Sequence, residues 1–360
     1  MALTSDAIKA HAHELGFDRC GIAPAEPFPE LTFLEEWLRR GYAGTMSWMG
    51  RTARRRRDVR EVVPSARSVI VTATVYNTDR PHTIDQQDPL RAVISRYAWG
   101  DDYHDVIRTR LEALLAWMRS VHPEPFDARV YVDTGPVQER VYGQYAGVGW
   151  IGKNTCLIDP ELGSWIFLGT IICSLPIEPD RPVLDQCGDC EACLTACPTG
   201  AIVEPHVLDA TRCISYLTIE YRKAIPEALR PAIGNRVYGC DICQDVCPWN
   251  RRAAVSEAAA WMPRPALDAP LLLDLWRMSD RELEALLEGT PMTRAGVVGL
   301  RRNLATALGN AAGHLPPDAL DADEPDPDRP SLAAPAVAET LAWARRRLAE
   351  RDEPAARPLL

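Results

Sequence analysis

No apolar run in this 360-residue chain approaches the roughly eighteen residues that a membrane-spanning helix needs, so no membrane span is expected. The first residues, MALTSDAIKAHAHELGF, lack the basic-then-apolar pattern of a secretory leader and carry the Ser/Asp cap and spacing of an amphipathic helix, so a cytoplasmic location is expected. Basic charge is not in excess: 40 Lys and Arg against 50 Asp and Glu give −10, which argues against indiscriminate binding to nucleic acid. Part of that charge is local, because Asp318, Asp321, Asp323, Glu324, Asp326 and Asp328 share one Pro-rich stretch, and without these six the remainder carries only −4. VDTG, at 132–135, has no second copy, and aspartic-protease chemistry needs two carboxylates sharing a proton. GVGWIG, at 147–152, lacks the strand before it and the helix after it that a dinucleotide fingerprint requires.

Cysteine is abundant: eleven residues, too many for a reducing compartment to hold as disulfides, which makes metal the better reading. Cys20, Cys156 and Cys173 are scattered and read as core thiols, whereas the other eight fall between 187 and 247. Cys187, Cys190, Cys193 and Cys197 stand at C-x2-C-x2-C-x3-C-P, the ferredoxin spacing for a [4Fe–4S] cluster. Three thiolates on one tight loop cap three irons, whereas zinc usually draws C-x2-C pairs from separate loops. In such a run the fourth cysteine serves a second cluster, and Cys240, Cys243 and Cys247 form a run one cysteine short, which Cys213 completes. The expected sets are Cys187, Cys190, Cys193 and Cys247 for cluster one, and Cys197, Cys213, Cys240 and Cys243 for cluster two. Two clusters carry single electrons and need an acceptor, either a partner protein or a cofactor in the other half of the chain.

At ordinary domain size the chain holds about two or three domains. Helical spacing at 4–15, 30–40 and 101–121 alternates with strand-like runs at 67–76, 128–133 and 164–172, giving an α+β first half. The composition then turns to Pro and Asp, and helices are expected again at 279–313 and 333–350. Expected boundaries are 1–175 for the α+β domain, 176–260 for a ferredoxin-like domain and 261–360 for a helical region with an acidic, Pro-rich insert at 316–330. Asp133 ends an apolar strand, where burial raises a carboxyl pKa and suits a general acid; capping the next turn is the alternative. DDYHDVI is close to the D-x-H-x-x-G motif of histidine-ligated cobalamin, but Ile107 replaces the glycine, and His104 reads as a helix-start or pocket residue. RTARRRRDVR, with Arg51, Arg54, Arg55, Arg56, Arg57 and Arg60, is either a phosphate contact or a solvated face.

Taken in order, RYAWGDDYH, VYVDTGPVQER, GVGWIGKNTCLI, CGDCEACLTACPTGAI, CISYLTIE and YGCDICQDVCPWN resemble the epoxyqueuosine reductases over residues 1 to about 315. The resemblance implies a cytoplasmic enzyme that passes electrons from an external donor through two [4Fe–4S] clusters to cobalamin. That enzyme removes the epoxide oxygen of epoxyqueuosine at the wobble position of tRNA, giving queuosine. It implies that Asp133 is the proton donor, that Arg56, Tyr97, Lys153 and Asn154 join it around cobalamin and the active site, and that no protein histidine holds the cobalt. An anticodon loop presents unstacked bases and phosphates, so Arg51 to Arg60, Arg222, Lys223 and Trp249 are candidate tRNA contacts. GLRRNLATALGNAAG resembles the start of a HEAT-like repeat, and AVAETLAWARRRLAERDE its second helix. A monomer is expected. The competing readings are an iron–sulphur electron carrier and a corrinoid-dependent reductase of a small molecule.

Overall fold

The computed structural model describes residues 3–316, 318–320 and 326–352. The central sheet is built from β1 (Arg19–Pro24), β2 (Ser68–Val75), β3 (Ala128–Tyr131) and β4 (Ile166–Cys173), with β-branched runs in β2 and β4. Its order is β1-β2-β4-β3 and every pair is antiparallel. The strands expected at 67–76, 128–133 and 164–172 are present, while β1 was not expected and β3 stops short of Asp133. Along β2, Val69, Val71, Ala73 and Val75 enter one core and Ile70 the other, so both faces of the sheet are covered.

Two helices cover the Ile70 face: α1 (Ser5–Glu14) and α3 (Tyr103–Val121), with α2 (Pro29–Arg39) and α4 (Glu139–Tyr145) on the other side. Asp102 caps α3 by accepting the His104 N–H at 3.0 Å. Ile107, Leu111, Leu114, Leu115 and Met118 then recur at three- and four-residue steps and are all buried, each side chain worth about 1.5–3 kcal/mol on full burial.

The cysteine-bearing segment contains short helices at Ala192–Ala196, Ile214–Ile219 and Ile242–Asp245 and a small hairpin pairing Ile202–Glu204 with Val207–Leu208. It is not self-contained, because Arg236–Tyr238 pairs in parallel with Val93–Ile94 from the first half. The stretch expected to be helical over 279–313 is broken into Asp280–Leu287, a 3-10 turn at Pro291–Arg294 and α5 (Gly296–Asn310). The break falls where Gly289 takes a positive φ of 67° and Pro291 follows. α5 packs on α6 (Pro335–Asp352) so closely that a Cβ at Gly309 would lie 2.3 Å from the Trp343 ring. Of the acidic insert, residues 317 and 321–325, with Asp321, Asp323 and Glu324, lie outside the described residues. Its described flanks are packed, with Leu320 buried and Arg329 paired to Asp326 at 2.5 Å. No helix among the described residues is long and apolar enough to cross a membrane.

Candidate functional site

After β3 the chain turns through Val132, which is fully buried, into Asp133 at a φ of +54°, a left-handed conformation uncommon outside glycine. Two features hold the turn. The Asp133 N–H donates to both oxygens of Glu139 at 3.1 and 3.2 Å, and Gly135 folds over Tyr131 so tightly that a Cβ there would meet the ring at 2.4 Å. The Asp133 side chain is 66% exposed, although protein atoms surround it closely enough for desolvation to act on its charge.

Helix α3 supplies its partners. Tyr103 Oη donates to Asp133 Oδ2 at 3.0 Å, and His104 Nε2 stands 3.6 Å from the same oxygen. The other ring nitrogen, Nδ1, is 2.7 Å from Asp102 Oδ1, and the imidazole stacks on Tyr103 with centroids 4.1 Å apart. Burial was expected to raise the Asp133 pKa; the structure corrects this. Desolvation is the largest influence and does push upward, but His104, Tyr103 and Arg140 together hold Asp133 below the usual carboxylate value. His104 goes the other way. Desolvation opposes its charge, yet Asp102 and Asp133 on its two sides raise it to about 9. Burial, followed by the Asp133 charge, pushes Glu139 up to about 8, so the neighbouring carboxyl is neutral at pH 7.

Arg56 and Tyr97 stand in the same surroundings. The Arg56 guanidinium donates to Val137 O at 3.1 Å and is held below its ordinary value by desolvation, against the pull of Asp133 and Glu139. Tyr97 meets Tyr103 edge-on at 6.1 Å, and desolvation keeps its hydroxyl protonated. Lys153 and Asn154 lie elsewhere: with Trp249 they line a cavity whose other walls include Cys187, Cys190, Cys193 and Cys247. Lys153 Nζ donates to Gly188 O at 2.8 Å and Asn154 Nδ2 to Cys243 O at 3.1 Å, so both brace the cysteine loops. Arg140 links the two regions, donating to Thr155 O at 2.8 Å while its charge acts on Asp133.

All eight cysteines from 187 to 247 are free thiols. Among the described residues no three side chains converge tightly enough to grip a single ion. The electrostatic influences among the thiols fall mainly within two groups, with Cys156 acting on both. Cys187 and Cys190 act on Cys193, and Cys187, Cys156 and Cys193 act on Cys247. Cys197 and Cys156 act on Cys213, Cys213 acts on Cys240, and Cys156, Cys240 and Cys213 act on Cys243. Cys197 Sγ also accepts the Ala201 N–H at 3.3 Å, the kind of donor that stabilises a thiolate. Cys156, read from the sequence as a core thiol, lies in hydrogen-bonding contact with Cys243. Asp241, between Cys240 and Cys243, accepts the Arg96 N–H at 2.7 Å and the Ser95 hydroxyl, tying this loop to the segment that carries Tyr97 and Tyr103.

Two candidate nucleic-acid contacts have protein partners. Arg222 donates to Ala295 O at 3.0 Å and Arg294 O at 2.6 Å, and Trp249 packs edge-on against Trp150 at 4.9 Å. Lys223 is exposed. In the arginine run, Arg54 pairs with Glu61, Arg57 with Glu35 and Arg60 with Asp58, whereas Arg51 and Arg55 have no carboxylate partner among the described residues. Sequence reasoning gave no role to Tyr103, Asp102, Glu139, Arg140 or Asp241. Each is polar and ordinary in its own segment, and only the fold brings it to Asp133 or the cysteine loop.

Residues 186–250 match the family model described as a 4Fe-4S double cluster binding domain. An iron–sulphur domain joined to a site of coupled acids and a histidine makes this chain an oxidoreductase with two [4Fe–4S] clusters. Residues 56–134 match the model described as Epoxyqueuosine reductase QueG, DUF1730. The epoxyqueuosine reductase of Pseudomonas aeruginosa is 42% identical over 355 residues, covering 97% of this chain and 96% of its own; that of Gloeobacter violaceus is 45% identical, covering 88% and 99%. A crystal structure of an epoxyqueuosine reductase with an epoxyqueuosine-modified tRNA-Tyr stem loop superposes with a TM-score of 0.83 at 31% identity, over 95% of this chain and 89% of the other. The Bacillus subtilis enzyme, with its catalytic loop swung out of the active site, superposes at 0.80 and 31% identity over 95% and 90%. The chain belongs to the epoxyqueuosine reductase family.

Proposed function

We propose that this chain reduces epoxyqueuosine to queuosine at the wobble position of tRNA in the cytoplasm, drawing electrons from an external donor. The carrying observation is the largely exposed Asp133 carboxylate, held against Tyr103 and His104, in a chain that also carries a double-cluster domain. Neither an electron carrier nor a general corrinoid reductase accounts for that arrangement together with family membership.

The grouping of these charge influences, Cys156 apart, supports Cys187, Cys190, Cys193 and Cys247 as ligands of one cluster and Cys197, Cys213, Cys240 and Cys243 as ligands of the other. Cobalamin, when bound, supplies the two-electron cobalt chemistry that opens the epoxide. Arg56, Tyr97, Lys153 and Asn154, with Asp133, are the residues that would hold it. His104 is engaged at Nδ1 by Asp102 and faces Asp133 at Nε2, which fits a cofactor held without a histidine ligand. Asp133 then has the remaining task, protonating the departing oxygen. The exposed Arg51 and Arg55, with Arg222 and Lys223, are suited to anticodon-loop phosphates, and Trp249 to a base; the α5–α6 pair is a single HEAT-like unit. The reading divides the chain into a cobalamin domain (1–175), a ferredoxin-like domain (176–260) and a helical region (261–360), acting as a monomer.

The test is conversion of an epoxyqueuosine-bearing anticodon stem loop by anaerobically reconstituted protein with a chemical reductant. About eight irons and one cobalt per chain, with conversion, are expected. Asp133→Asn should keep both metals and slow turnover by about 10²–10⁴-fold. Fully loaded protein that leaves the epoxide intact overturns the reading, and an unimpaired Asp133→Asn removes Asp133 from it.

A further inference from the structure

The acid assigned to Asp133 has a difficulty that its surroundings resolve. Its pKa is held below the ordinary carboxylate value, so at neutral pH it has no proton to give. The nearest group that does is His104. Asp102 fixes this imidazole from behind: it accepts the His104 N–H at 3.0 Å and lies 2.7 Å from Nδ1, so one carboxylate both caps the helix and orients the ring. Tyr103 stacks on the ring and is in turn stacked on Phe167 at 4.4 Å, which leaves the imidazole little freedom to turn. Nε2 is buried, finds no hydrogen-bond partner among the described residues, and lies 3.6 Å from Asp133 Oδ2. That gap is an ion-pair distance just beyond a hydrogen bond, and catalytic contacts of this kind are often long before substrate binds. Asp133 Oδ1 has no protein donor among the described residues, so one oxygen faces the proton source and the other takes no bond from the protein there.

We propose that His104, oriented by Asp102, is the proton store that recharges Asp133 in each turnover. The proposal rests on the assignment of Asp133 as the donor to the epoxide oxygen. Nε2–H breaks as an O–H bond forms on the Asp133 carboxylate. The carboxyl then gives that proton to the departing oxygen and returns to carboxylate, and water reprotonates His104. Overall, epoxide, two electrons and two protons give alkene and water; the electrons come from the reductant through the clusters, and the second proton follows the same route. His104 touches neither substrate nor cofactor in this scheme and acts through Asp133.

The remaining charged and titratable groups around Asp133 do not offer an equivalent source. Arg56, Arg140 and Arg294 stay charged and supply only field. Tyr97 and Tyr103 are held as neutral phenols, their hydroxyls made still weaker acids by burial. Glu139 is protonated at pH 7, but it meets Asp133 at the backbone N–H, and no hydrogen bond joins the two carboxyl groups among the described residues.

The test is the pH profile of kcat for the reconstituted holoenzyme on the modified stem loop, together with the ¹³Cε1 titration of the histidine signal that disappears in His104→Gln. In the wild type, kcat should fall as pH rises through about 9, and the assigned imidazole should titrate near the same pH. His104→Gln should keep its iron and cobalt, lose about 10²-fold in kcat and lose that alkaline limb. Asp102→Asn should move the limb to lower pH. In Asp133→Asn the imidazole midpoint should drop, a readout independent of turnover. A His104→Gln enzyme as fast as the wild type, or slower with the alkaline limb in place, overturns the relay while leaving Asp133 as donor. So does an imidazole that titrates at the ordinary histidine value. A loaded wild type that converts nothing overturns the functional reading itself, and the relay with it.

Discussion

Removing cysteines in pairs tests the sharing of ligands between the clusters more sharply than removing them singly. If each quartet holds one [4Fe–4S] cluster, any single Cys→Ala change should lower the iron content from about eight to about four. Singles cannot show which cysteines belong together; pairs can, because two ligands of one cluster are not additive. Cys247 senses Cys187 and Cys193 across about sixty residues of chain, whereas Cys240, its near neighbour in sequence, interacts with Cys213. Cys187→Ala with Cys247→Ala should therefore keep about four irons, while Cys240→Ala with Cys247→Ala should keep almost none. Cys156→Ala is the control: its thiol contacts Cys243 but stands outside both quartets, and about eight irons should remain. The assay is iron and acid-labile sulphide per chain after anaerobic reconstitution, with Mössbauer spectra to confirm cluster type. Four irons surviving in the Cys240/Cys247 double variant, with none in the Cys187/Cys247 one, would refute the crossed assignment and put Cys247 with its sequence neighbours.

Arg302 is 1% exposed with no carboxylate against it among the described residues; its guanidinium donates to Leu217 O at 2.6 Å, Lys223 O at 2.9 Å, Tyr221 O and Asn303 Oδ1, joining α5 to the helix that follows Cys213. Arg302→Met leaves those carbonyls buried without donors and should cost about 3–5 kcal/mol in anaerobic thermal unfolding; a loss under about 1 kcal/mol would contradict the pinning role. Glu139 keeps its proton when folded up to about pH 8, against 4.5 for the free side chain, so between those values the folded chain holds a proton that the unfolded chain has released. Stability should consequently fall as pH rises from about 5 to 8, and Glu139→Gln should flatten that slope in denaturant midpoints at the two ends; parallel slopes would show that Glu139 ionises freely in the fold.

How much of this was legible depended on whether the signal was local. The apolar spacing of 107, 111, 114, 115 and 118 marked α3, and the β-branched run at 68–75 marked β2, because each pattern is a property of one segment. The pairing of Val93–Ile94 with Arg236–Tyr238 had no such signal: two- and three-residue strands carry no period, and their partner is more than a hundred residues away. The cysteines were the exception among long-range features, since ligand chemistry fixes spacing within a run and an incomplete run announces that a ligand is missing. Lys153, Asn154 and Trp249 show the limit of motif reasoning. Their motif segments suggested the cofactor or the tRNA, while the coordinates show that all three line the cavity beside the cysteines.

Asp133 carries the same lesson into chemistry. A carboxylate after an apolar strand suggests burial, and burial alone would make it a weak acid that keeps its proton. Burial also brings groups into contact, and here it brings an imidazole, a phenol and a guanidinium, whose combined pull outweighs desolvation. Two carboxyls six residues apart thus end in opposite states, Asp133 ionised beside His104 and Glu139 protonated against a backbone N–H. The difference comes from which one the cation faces, and that is set by α3 crossing the end of β3. A carboxylate that rests ionised serves as an acid only if a neighbour reloads it, so the protonation chemistry of this site belongs to the Asp102–His104–Asp133 array and not to Asp133 alone.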